Sequence, residues 1–74
     1  MTSTIVNQVE FWWDDHTIVE AGWYAVAYDR DGKLVQDSQK LWFPVDVGAY
    51  GRAQGAALQA ALREAFPHAR ITEH

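Results

Sequence analysis

Cysteine is absent from this 74-residue chain, so no disulfide can staple it. A cysteine-free composition suits a reducing compartment. Proline occurs only twice, at Pro44 and Pro67, and each is a natural stop for the element before it. No apolar run approaches the roughly 20 residues that a membrane-spanning helix needs. Met1-Thr2-Ser3-Thr4 has neither the basic nor the apolar region of a secretory signal, so the expected location is the cytoplasm. Bases are few: six against ten acids, a formal net charge of −4. Serine occurs only at Ser3 and Ser38, with no nucleophile elbow around either. No dinucleotide or P-loop spacing occurs. These absences point away from an enzyme, a cofactor and a bound metal.

What the chain has in abundance is aromatic side chains. Four Trp, three Tyr and three Phe fall in 74 residues. Each such ring can bury roughly 150–250 Å². That matters in a single domain so small that only about 60% of its unfolded surface is hidden on folding.

The charge is unevenly placed. Residues 1–50 hold eight acids against Arg30, Lys33 and Lys40, a net of −5. Residues 51–74 hold Arg52, Arg63 and Arg70 against Glu64 and Glu73, a net of +1. Nucleic-acid binders neutralise phosphates with Lys and Arg. An acidic first half argues against direct nucleic-acid contact and favours a basic protein surface as partner.

Period-2 alternation predicts a first strand over residues 5–13, with Val9, Phe11 and Trp13 on one face and Glu10 and Trp12 on the other. Asp14-Asp15-His16 reads as a polar turn. A second strand is expected over residues 17–28, with Gly22 as a candidate bulge. Asp29-Arg30-Asp31-Gly32 signals a hairpin, because Gly accepts a positive φ. It starts like a calcium loop, but no glutamate follows at the required spacing. A third strand is expected over residues 33–43. Its polar middle, 36–40, suggests an exposed or edge segment, or a bulge.

The pattern changes after Asp46. Leu58, Ala61, Leu62, Ala65 and Phe66 recur at helical spacing and form one apolar stripe. The helix is expected from Gly51 onward and ends at Pro67. Ala69-Arg70-Ile71-Thr72 can supply a short last strand. The expected fold is α+β: a three-stranded antiparallel sheet in β-β-β-α order, with one C-terminal helix on one face and room for a small fourth strand.

One helix can cover only one face of that sheet. The helix stripe is assigned to Val9, Phe11, Trp13, Val19, Trp23, Ala25, Ala27, Leu41 and Phe43. The opposite face then carries Glu10, Trp12, Glu20, Tyr24, Tyr28, Lys40 and Trp42, with Asp14 and Asp15 at its rim. Trp and Tyr dominate binding hot spots. The face is therefore expected to bind a protein. The expected role is a small acidic inhibitor or accessory protein on the nucleic-acid-binding surface of a larger complex, by analogy of size and charge with phage anti-defence proteins. The alternatives are a homodimer built on the same face and single-strand binding by base stacking on Trp12, Tyr24, Tyr28 and Trp42.

Overall fold

A computed structural model describes residues 6–15, 21–38 and 43–74. The described elements are β1 (Gln8–Asp14), β2 (Gly22–Tyr28), β3 (Leu34–Asp37), α1 (Gly55–Ala65) and β4 (Arg70–Glu73). Two 3₁₀ turns, Val47–Ala49 and Arg52–Gln54, lead into α1.

The sheet has the order β3-β2-β1-β4. β1 and β2 pair antiparallel over their whole length, from Gln8 opposite Tyr28 to Asp14 opposite Gly22. This pairing is regular, so Gly22 is not a bulge. The irregularity lies on the other side of β2, at Ala27 and Tyr28 where they meet β3. Asp14 closes β1 as a paired strand residue rather than opening a turn. The rest of that expected turn, at His16, lies outside the described residues.

The hairpin between β2 and β3 forms where the sequence placed it. Gly32 has φ +81°, which a side chain would make costly. One carboxylate oxygen of Asp29 accepts from the backbone N–H groups of both Asp31 and Lys33, at 2.9 Å each. A short acidic side chain thus replaces solvent as the acceptor for the turn.

Strand β3 is shorter than the expected 33–43. Ser38 is a turn residue, and Phe43 lies outside any strand. Backbone pairing nevertheless reaches Ser38, whose N–H donates to the carbonyl of Ala25 at 2.9 Å. The order confirms β3 as an edge strand, but its polar middle is not all exposed. Gln36 stands opposite Ala27 and retains 6% of its surface. Strand parity puts it on the inner face, because Ala27 points there.

The fourth strand changes the character of the sheet. β4 runs parallel to β1, with Val9 beside Ile71 and Phe11 beside Glu73. The expected antiparallel sheet is therefore mixed. The chain leaves β3 at one edge, crosses in α1 and returns on the far side of β1, as a parallel neighbour requires.

The core is the set Val9, Phe11, Trp23, Ala25, Ala27, Val47, Leu58, Leu62 and Phe66. Alternate residues of β1 and β2 meet the helix stripe, as the two periodicities demand. Trp13, Phe43, Ala65 and Ile71 pack around it, half-buried. Val19 and Leu41, also assigned to the inner face, lie outside the described residues. Val47 enters from the first 3₁₀ turn, a contribution no periodic pattern announces.

The helix begins four residues later than Gly51. Gly51 caps the second 3₁₀ turn, its N–H donating to Oε1 of Gln54 at 2.7 Å. At the other end Phe66 leaves the helical region with φ −127° and ψ 69°. Pro67 forces this, since its ring clashes with a helical predecessor.

Candidate protein-binding face

The register shows which side chains share the outer face. Cross-strand partners point the same way. Gln8, Glu10, Trp12 and Asp14 of β1 stand with Tyr28, Val26, Tyr24 and Gly22 of β2. Arg70 and Thr72 of β4 join beside Gln8 and Glu10, and Leu34 and Asp37 of β3 join opposite Tyr28 and Val26. Among the described elements, none packs over this face. Trp12, Tyr24, Val26 and Tyr28 are all half-buried rather than buried.

Trp12 is the centre of the group. Its ring stacks on Tyr24 with centroids 6.4 Å apart and planes 23° apart. On the other side His74 meets it edge-on at 6.0 Å and 88°. His74 reaches this position because its backbone N–H donates to the carbonyl of Phe11 at 2.8 Å, continuing the β1–β4 ladder by one residue.

Glu10 lies at the middle of the face, between β2 and β4. Its two carboxylate oxygens have different partners. Nε2 of Gln8 donates to Oε2 at 3.0 Å, and His74 Nε2 lies 2.9 Å from Oε1. The Glu10 side chain retains 25% of its surface. Glu10, Trp12, Trp13, Val26, Tyr28 and His74 line an open depression of about 560 Å³.

The remaining expected site residues separate. Asp14 holds the end of β1 on the outer face. Asp15 does not rim that face. It turns to the helix side, where Oδ2 lies 3.7 Å from Nη1 of Arg52. Both groups are substantially exposed, so the pair contributes little to stability. The same guanidinium sits 5.7 Å from the Trp13 ring centroid, on the inner side of the sheet. Glu20, Lys40 and Trp42 lie outside the described residues.

Sequence reading missed His74, Arg70 and Asp37 as members of the face. Parity carried the first two once residues 69–72 were read as a strand. The side of the sheet on which that strand added was not legible.

Among the described residues, no group of three or more His, Cys, Asp and Glu side chains comes together to hold a metal ion. None of the described helices is long and apolar enough to cross a membrane. No family model, curated protein or solved structure matches the chain.

Proposed function

We propose that this chain is a non-enzymatic protein-binding module whose outer sheet face docks on a basic surface of a larger protein. The observation that carries this reading is the half-exposed set Trp12, Tyr24, Val26 and Tyr28, over which no described element packs. A contiguous apolar patch of this kind on a small domain marks an interaction surface. Charge selects the partner. Among the described residues, the outer face carries the acids Glu10, Asp14 and Asp37 against one arginine, Arg70. Such a surface repels phosphate and attracts a basic patch. The nucleic-acid-binding groove of a larger protein is the basic surface it suits best, which makes the chain an inhibitor or accessory of that protein.

The test has two stages. Immobilised wild-type chain is used to capture a partner, which is then purified and recombined with the chain alone. The expected result is a binary complex at micromolar concentration that weakens with salt and is lost in Trp12→Ser/Tyr28→Ser. Absence of a binary complex, or one indifferent to both substitutions, overturns the reading.

Leu34 supports a second reading. It is 54% exposed on the edge strand β3. Edge strands pair readily with copies of themselves. A homodimer through β3 is expected to dissociate in Leu34→Lys, read by sedimentation at several concentrations.

A further inference from the structure

The depression on the outer face is built from one carboxylate among rings. Its floor is the directly opposed pair Glu10 and Val26. Along β2, Val26 is a short side chain set between the rings of Tyr24 and Tyr28. Four residues of strand separate the two tyrosines by about 13 Å. The larger rings of Trp12 and Tyr28 beside a short valine leave the hollow.

The carboxylate is held ready. Gln8 and His74 each approach one oxygen of Glu10, fixing its position. An ionised carboxylate offers about four acceptor sites, so the two described partners leave two for a guest. Among the described residues, no Lys or Arg pairs with Glu10. Within that described set, the group has directional partners but no permanent positive charge opposite it.

We propose that this depression seats the guanidinium of an arginine from the partner protein. The inference rests on the protein-binding reading of the same face and names the chemistry of its central contact. A guanidinium is planar and bonds a carboxylate through two parallel N–H donors. It also stacks on aromatic faces and is more weakly hydrated than an ammonium. Glu10 supplies the bidentate acceptor. Trp12 and Tyr28 supply the rings, and Val26 the apolar floor. Lysine satisfies only the charge, as a compact and strongly hydrated group. Phosphate-bearing ligands meet Glu10 as a like charge.

The experiment titrates three capped tripeptides into the full chain: Gly-Arg-Gly, Gly-Lys-Gly and the neutral isostere with citrulline. Proton–nitrogen correlation spectra report the site through the Trp12 indole N–H and the backbone amides of Glu10, Val26, Tyr28 and His74. The arginine peptide is expected to shift these signals saturably, with the lysine peptide weaker and citrulline without effect. Glu10→Gln is expected to lower arginine affinity by about tenfold or more, the scale of a lost charge-assisted bond. Unchanged shifts elsewhere in the spectrum establish that the variant is folded. No saturable shift, equal shifts with citrulline, or full binding by Glu10→Gln overturns the arginine seat.

The two proposals fail separately. A purified partner complex that survives Glu10→Gln but not Trp12→Ser/Tyr28→Ser removes the arginine seat and leaves the docking face. Arginine binding without any binary protein complex removes the docking face alone.

Discussion

Gly55 lies directly against the indole of Trp23. A Cβ at position 55 would stand 3.0 Å from Cζ2 and 3.1 Å from Cη2 of that ring. The ring has little room to give way. Its Nε1 donates to the carbonyl of Gly51 at 2.8 Å. Phe11 and Trp13 flank it, each at a centroid distance of 5.6 Å. The first turn of α1 and the start of β2 are therefore locked together through a missing side chain and one hydrogen bond between residues distant in sequence.

Gly55→Ala tests that lock. In an open helix the change stabilises by up to about 1 kcal/mol. Here overpacking is expected to outweigh it, giving a net loss of about 1 kcal/mol. Gly55→Val is expected to lose more. Urea unfolding midpoints measure both, and a rise for Gly55→Ala would show that Trp23 can move.

Leu62 is fully buried on the helix stripe, whereas Arg63 beside it is exposed. Leu62→Ala is expected to cost about 2–5 kcal/mol. A chain of this length has only about 4–11 kcal/mol in total. The variant should be largely unfolded when warmed, while Arg63→Ala stays within about 0.5 kcal/mol of wild type. Circular dichroism melts separate the two.

Gln36 is buried, and among the described residues neither its Oε1 nor its Nε2 has a hydrogen-bond partner. An unsatisfied buried amide costs about 1–3 kcal/mol. Gln36→Met keeps the unbranched shape and removes the polar atoms. It is expected to stabilise the fold by about 1 kcal/mol, a rise of several degrees in a thermal melt. A lower melting temperature would mean that the amide has a partner.

The hairpin turn depends on Asp29 and Gly32. Gly32→Ala must hold a side chain at φ +81° and is expected to cost about 1–2 kcal/mol. Asp29→Ala leaves the N–H groups of Asp31 and Lys33 to water, and is expected to cost about 1 kcal/mol. Denaturant midpoints of the two single variants check each value.

Much of this fold was legible along the chain. Alternation in Val9, Phe11, Trp23, Ala25 and Ala27 named the inner face, and those five residues are core. The stripe Leu58, Leu62 and Phe66 named the helix face that meets them. Asp29 to Gly32 named the hairpin. These features depend on neighbours in sequence, through strand parity, helical period and turn chemistry. The candidate face followed in part, because parity also sends Trp12, Tyr24 and Tyr28 outward together.

Other features had no local signature. Gln36 looks like an exposed strand residue until its register opposite Ala27 places it inside. Asp15 looks like a rim acid until its place beside Arg52, distant in sequence, is seen on the helix side. Above all, β4 could have joined either edge of the sheet in either direction. Its parallel place beside β1 brings His74 to Glu10 across 64 positions of sequence, and to the ring of Trp12. Chain-local physics decided which residues are rings, which alternate and which face is apolar. Only long-range pairing decided which carboxylate stands among those rings, because that choice rests on contacts whose partners are far apart along the chain.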